Sequence, residues 1–129
     1  IGIACENLET ASRFWRTLGL IQGNEDHLVA DQGVTVRFFK TSESQQSPRI
    51  ELLEPTSEET PIGKFLQKRG PGIQQICFEV EDIEFTIAKL LESDITMIDK
   101  VPKQGAEGNL IAFVHPRSTG GVLVELTQK

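Results

Sequence analysis

The sequence predicts an α+β fold made of two tandem βαβββ modules that form a cupped mixed sheet. Three observations predict it. The chain resembles itself weakly at an offset of 75 residues, and internal repetition is a signature of a duplicated unit. Short alternating stretches are interleaved with stretches of helical periodicity. The 129 residues are 38% hydrophobic and 25% charged, an ordinary balance for one globular domain with a real core. One domain over residues 1–129 is therefore expected, with modules spanning about 1–70 and 71–129.

The repeat begins at the first residue. Ile1-Gly2-Ile3-Ala4-Cys5-Glu6-Asn7-Leu8-Glu9 lies over Ile76-Cys77-Phe78-Glu79-Val80-Glu81-Asp82-Ile83-Glu84. Each stretch reads as a strand, then a short polar N-cap, then a helix. Asn7 and Asp82 suit the cap because their side-chain oxygens can accept from free helix N–H groups. Leu8, Ala11, Trp15 and Leu18 follow helical spacing, and Gly19 suits the left-handed closing position. Ile83, Ile87, Leu90 and Leu91 repeat that stripe. Farther on, Gly33 lies over Gly108 and Phe38 over Phe113. At an offset of 74, Arg49-Ile50-Glu51-Leu52 lies over Leu123-Val124-Glu125-Leu126.

Residues 41–48 (TSESQQSP) read as an exposed loop. A short helix is expected from Thr60-Pro61 to Gly70, with proline at its first position. Gly120-Gly121 suits a tight turn before a last strand starting at Val122. Along the strands, Ile50 and Leu52 face one way, and Glu51 and Leu53 the other. Val122, Val124 and Leu126 face one way, and Leu123, Glu125 and Thr127 the other. Ile76, Phe78 and Val80 oppose Gln75 and Cys77. The first face of each strand can pack under helices, and the second can line the concave sheet surface.

The formal net charge of −6 and pI near 4.9 argue against nucleic-acid binding, which normally needs a basic face. A local basic rim for an anionic small molecule is compatible with that balance. No apolar run approaches membrane-spanning length. Cys5 and Cys77 read as reduced thiols of a cytosolic chain rather than a disulfide framework. No signal-like stretch opens the sequence, so the cytoplasm is expected, or an organelle matrix if a transit segment has been removed.

Glu51 and Glu125 interrupt apolar strands at repeat-related positions. A carboxylate on an inner sheet face is costly unless offset. A metal ion, a salt bridge or solvent would each offset it. Gln75 is a third inward polar residue, and plain polar surface is its simpler role. Together these side chains suit an oxygen- and nitrogen-ligated divalent ion with positions open to substrate. His27 lies in a polar, loop-like stretch and reads as surface. His115, in Phe113-Val114-His115-Pro116, reads as a hydrogen-bonded structural histidine. No His-x-x-x-His pair, Cys-x-x-Cys pair, phosphate loop or nucleophile elbow occurs.

The sequence resembles the methylmalonyl-CoA epimerase branch of the vicinal oxygen chelate superfamily. Four stretches carry the likeness: residues 1–20 (IGIACENLETASRFWRTLGL), 50–70 (IELLEPTSEETPIGKFLQKRG), 72–83 (GIQQICFEVEDI) and 113–128 (FVHPRSTGGVLVELTQ). The resemblance implies a CoA thioester substrate, a divalent metal such as cobalt, and a homodimer. It implies that a carboxylate removes the C2 proton while the metal stabilises an enolate. By position, the ligands would be the residue before Ile1, Glu51, Gln75 and Glu125, with Glu125 also the base. The strand matching residues 34–38 (VTVRF) carries no carboxylate for the opposite-face acid. Members usually read His-His where this chain has Gln74-Gln75, and often have histidine at Glu107. Glutamine weakens affinity for transition metals, so the site binds metal less tightly, selects a harder ion or binds none. Two other readings stay open on this scaffold. One is a metal-free small-ligand-binding protein, and the other a glyoxalase-type isomerase.

Overall fold

The structure, a computed structural model, describes all 129 residues. They divide into two compact units, Ile1–Gln74 and Gln75–Lys129.

In the first unit, β1 (Gly2–Ala4) leads into α1 (Leu8–Leu18). Then come β2 (Ile21–Gln22), β3 (His27–Val29), β4 (Val34–Lys40), β5 (Arg49–Pro55) and α2 (Pro61–Arg69). Both β2 and β3 pair antiparallel with β4 and act as one interrupted strand. β4 pairs antiparallel with β5, and β5 parallel with β1. The module is thus βαβββ and the sheet mixed, as expected.

Helix α1 forms where its caps say it should. Asn7 Oδ1 accepts from the Thr10 N–H at 2.9 Å. Glu54, on the helix side of β5, accepts from the Leu8 N–H at 2.8 Å. At the other end Gly19 takes φ +104°. Its N–H reaches the Arg16 carbonyl, and the Leu20 N–H reaches that of Trp15. This paired closure turns Leu20 back onto Trp15. Leu20 therefore joins the core of Cys5, Leu8, Phe39, Ile50 and Leu52, with Ile3, Ala11 and Trp15 packed alongside. Leu18, expected in the stripe, is exposed, because Leu20 fills that end of the core instead. The buried face of α1 contains Ser12.

Thr60 caps α2 through a hydrogen bond from the Gly63 N–H at 3.1 Å, and Gly70 ends it. A Cβ on Gly63 would sit 2.4 Å from the Ser57 carbonyl oxygen, so this helix turn is pressed onto the preceding loop.

In the second unit, β6 (Gly72–Glu79) leads into α3 (Ile83–Glu92), followed by β7 (Lys103–Gln104), β8 (Leu110–Val114) and β9 (Val124–Gln128). Gln75 is the first residue of β6 within this unit. β7 and β8, and β8 and β9, are antiparallel; β9 and β6 are parallel. Met97 bridges to Val114, just as Gln22 pairs with Phe39 one module earlier. Asp82 caps α3 at the Phe85 N–H (2.9 Å), and Gln128 accepts from the Ile83 N–H (2.7 Å). The core is Ile83, Ile87, Met97, Ala112, Val114 and Leu126. Phe78, expected under a helix, is exposed. α3 packs on β8 and β9, which leaves that part of β6 outside its footprint. Leu91 is likewise exposed. Gly120 and Gly121 both take positive φ at the expected turn, but the last strand starts at Val124 rather than Val122.

The duplication holds in register. Glu51 stands opposite Phe38 and beside Gly2. Glu125 stands opposite Phe113 and beside Cys77. The offset is 75 as far as Phe38 and Phe113, and 74 at the two glutamates.

Candidate functional site

Strand parity sorts the side chains. Ile50 and Leu52 pack towards α1, so Arg49, Glu51 and Leu53 lie on the other face of β5. Register puts Phe38 and Val36 of β4 on that same face. In the second unit Val124 and Leu126 pack with α3. Glu125 therefore lies on the opposite face, together with Cys77 and Phe113, its register partners. Gln75, two residues before Cys77, shares that face.

The structure brings Gln75 and Glu125 together. The Gln75 Nε2 donates to Glu125 Oε2 at 2.5 Å, and Gln75 is only 5% exposed. A buried amide donor on a carboxylate is a charge-assisted hydrogen bond, and it fixes the orientation of Glu125. Gln74 projects from the other face of β6. Its Oε1 is buried without a hydrogen-bond partner, and it plays no part in this pair.

Glu51 is half-buried in its own unit. Beside it, the Arg49 guanidinium lies 4.1 Å from the centre of the Phe38 ring. His27 meets the same ring edge-on, with centroids 5.6 Å apart. His27 is thus part of β3 and half-buried, not in a surface loop. The misreading came from its polar neighbours Asn24, Glu25 and Asp26, which hid a three-residue strand. In the second unit Lys103 takes the position of His27. Its ammonium lies 5.2 Å from the Phe113 ring and pairs with Asp99 at 3.2 Å. His115 is structural as expected: its Nδ1 accepts from the Arg117 N–H at 3.1 Å. Arg49 is the residue on this face to which the sequence reading gave no role. The signal for Arg49 was its place two residues before Glu51, on the same strand face.

No group of three or more His, Cys, Asp and Glu side chains is arranged to hold a metal. What the second unit offers is one carboxylate and one amide in contact. Such oxygen donors suit a hard divalent ion better than a borderline one that favours imidazole. An amide oxygen and a carboxylate are donor types that a divalent cation accepts, and here the amide turns its nitrogen to Glu125. Cys5 is buried on the α1 side, and burial, followed by nearby Glu54, pushes its thiol up to about 11. It is an inert packing thiol.

Comparison with known proteins adds a second line. Residues 1–113 match the model of the glyoxalase/bleomycin resistance protein/dioxygenase superfamily. An ethylmalonyl-CoA/methylmalonyl-CoA epimerase from Cereibacter sphaeroides is 40% identical over 131 residues, covering 99% of this chain and 94% of that one. A mitochondrial methylmalonyl-CoA epimerase from Dictyostelium discoideum is 36% identical, covering 100% of this chain and 76% of that one. Among solved structures, a Streptomyces coelicolor methylmalonyl-CoA epimerase variant in complex with 2-nitronate-propionyl-CoA superposes with a TM-score of 0.93. It is 32% identical, with 100% of this chain and 91% of that chain covered.

Proposed function

The chain belongs to the methylmalonyl-CoA epimerase family of the glyoxalase/bleomycin resistance/dioxygenase superfamily, and from that premise we propose that it epimerises methylmalonyl-CoA or a close carboxyacyl-CoA thioester. The reaction removes the proton on C2 and returns one to the opposite face. Glu125 is the proposed proton acceptor. The observation that carries this assignment is the short hydrogen bond from buried Gln75 to Glu125 Oε2. It sets the plane in which Oε1 is presented to substrate, and orientation of a base is a large part of its effectiveness. Gln75 and Glu125 are also the proposed donors to a divalent ion. Such an ion, when bound, supplies positive charge against the negative charge that develops on the thioester oxygen. Cytoplasmic residence is part of the proposal. Cys5, a buried thiol outside any disulfide, supports it. Pairing of two copies is part of it as well, to be checked by light scattering.

The test is proton exchange. The protein is incubated with methylmalonyl-CoA in D2O with magnesium, manganese or cobalt, and the C2 signal is followed by NMR. Ion-dependent loss of that signal is expected, slowed about 100-fold or more in Glu125→Gln. Equal rates in wild type and variant would remove Glu125 from its role. A folded sample that exchanges nothing with any ion would sink the epimerase reading.

One observation favours a second reading. The Gln75 amide turns its nitrogen, not its oxygen, towards Glu125, which suits a metal-free protein that binds a small ligand. That reading requires thioester binding to be indifferent to EDTA.

A further inference from the structure

On the Glu125 face of the second unit, one cation is held in place without a carboxylate. Arg117 lies in the turn between β8 and β9, is exposed, and is the only arginine of this unit. Its Nε donates to Thr96 Oγ1 at 3.2 Å. Two further bonds tie the same turn to Thr96. The Thr96 N–H donates to Ser118 Oγ at 2.9 Å, and the His115 N–H to the Thr96 carbonyl at 2.9 Å. Ile95 and Met97, on either side of Thr96, both pack with the α3 core. The Thr96 side chain therefore points to the opposite face, which is that of Glu125, and the guanidinium bonded to it stands there too. Lys103 is paired with Asp99 and Lys129 with Glu79, whereas Arg117 has no carboxylate partner.

The place of this cation decides what it can read. Thr96 lies opposite His115, one strand beyond β8. His115 in turn is two residues along from Phe113, the register partner of Glu125. With strands about 4.8 Å apart and a rise of about 3.4 Å per residue, the Thr96 and Glu125 backbones are about 12 Å apart. A group on C2 of the thioester must sit beside Glu125, since reacting atoms approach to about 3–3.5 Å. Arg117 is too far out for that group. It stands beyond the strand ends, where the turn meets solvent, and there the anionic groups of a CoA thioester are its phosphates. A guanidinium with its Nε already hydrogen-bonded is held in one plane, and its two Nη atoms present a fork that matches phosphate oxygens. The first unit has no equivalent, since the 41–48 loop in the same interval contains no cation. Carboxylates outnumber cations in the second unit, so an anionic ligand needs a local cation of this kind.

We propose that Arg117, pinned to Thr96, receives a phosphate of the CoA moiety, and so makes this end of the second unit a binding surface for the tail of the thioester. This rests on the CoA thioester of the proposed function and adds to it the residue that holds the tail. Arg117 acts in binding, not in proton transfer.

The test compares ligands with and without phosphate. CoA is titrated calorimetrically into wild type, Arg117→Gln and Arg117→Lys. Near-ultraviolet circular dichroism checks that each variant is folded. C2 exchange is then followed in each with methylmalonyl-CoA and with methylmalonyl-pantetheine, the same acyl thioester without phosphates. Arg117→Gln should weaken CoA binding about tenfold or more, the scale of one charge-assisted hydrogen-bonded pair. Arg117→Lys should keep part of that affinity. KM for methylmalonyl-CoA should rise by a similar factor in Arg117→Gln, and this penalty should vanish on methylmalonyl-pantetheine. A wild type that binds no CoA, or an Arg117→Gln variant that binds it unchanged, overturns the proposal. An equal penalty on the phosphate-free thioester also overturns it, and assigns Arg117 to the acyl end or to the turn itself. If C2 exchange is absent in every protein while CoA binding depends on Arg117, the epimerase reading fails and the phosphate site stands.

Discussion

The two modules share a register but fill the space between helix and sheet in opposite ways. In the second module, Ile87 of α3 and Ala112 of β8 meet in an apolar core. The residues one repeat earlier are Ser12 and Arg37, both buried. Arg37 spans Asp26 with two bonds of 2.8 Å, and its Nη1 reaches Glu9 at 2.9 Å and Ser12 Oγ at 3.0 Å. Ser12 Oγ in turn donates to the Leu8 carbonyl at 2.6 Å. The same backbone thus tolerates either an apolar pair or an ion network, provided every polar atom is satisfied. A buried ion network has no general advantage in stability over apolar packing. Its effect here is local: it ties the break between β2 and β3, where Asp26 lies, to α1.

The largest expected effect comes from moving the charge without its partners. Ala112→Arg places a guanidinium where nothing answers it, at a fully buried position. A cost of about 5 kcal/mol or more follows from an unpaired buried charge and overpacking together. A urea midpoint near that of wild type would break the comparison.

Removing Arg37 comes next. Arg37→Ala leaves Asp26 without its partner and opens a cavity, for a loss of about 3–5 kcal/mol. The double variant Ser12→Ile/Arg37→Ala imports the solution of the second module. It should recover part of that loss in equilibrium denaturation, because Asp26 is partly exposed and can be solvated. No recovery would mean that the modules are not interchangeable at this position.

A smaller effect is acid sensitivity. The hydrogen bond from Arg37 holds the Asp26 carboxyl below its ordinary value. Arg16 first, and then Arg37, does the same to the exposed Glu9. A depressed carboxylate stabilises the fold above its unfolded pKa, about 3.9 for aspartate. That contribution is lost as pH falls through the folded value. The urea midpoint should therefore fall steeply below about pH 4, and Asp26→Asn should flatten this limb. An identical slope in the variant would exclude Asp26 as its source.

The smallest effect lies at the helix starts. Glu54 and Gln128 hold the first N–H of α1 and α3 from equivalent strand positions. Glu54→Gln should cost about 0.3–1 kcal/mol, and Gln128→Glu should gain a similar amount, through charge at a helix N-terminus. Thermal midpoints that move in the same direction would contradict this.

Much of this was legible in the sequence, because the signals were local. Asn7, Asp82, Gly19, Thr60 and Gly70 each do at a helix end what their side chain or its absence favours. Alternation in the strands put Glu51 and Glu125 on the face away from the helices. The misses were those that depend on tertiary cover. Leu18 and Phe78 have the right spacing, yet nothing packs over them, and spacing does not report the footprint of a helix. His27 was hidden because a three-residue strand has too few positions to show a period. Ser12 and Arg37 carry no local signal of burial, because a buried arginine is recognisable only once Asp26 and Glu9 are seen around it. The Gln75–Glu125 hydrogen bond joins residues 50 positions apart, and only the β6–β9 ladder brings them into reach.

The one-residue change of offset, from 75 to 74, falls between the paired phenylalanine and glutamate of each module. In the first module that interval is the loop at residues 41–48, closed at its base by Thr41 Oγ1 on the Pro48 carbonyl at 2.6 Å. Nearly all of its side chains point into solvent. In the second, the corresponding stretch is wound into a short helical turn capped by His115. Length is therefore cheap in one copy and constrained in the other. Doubling a flexible loop costs only about 0.6 kcal/mol in closure entropy. The 41–48 loop is thus the place to graft an epitope or a fluorescent reporter while both helix-packed cores stay intact.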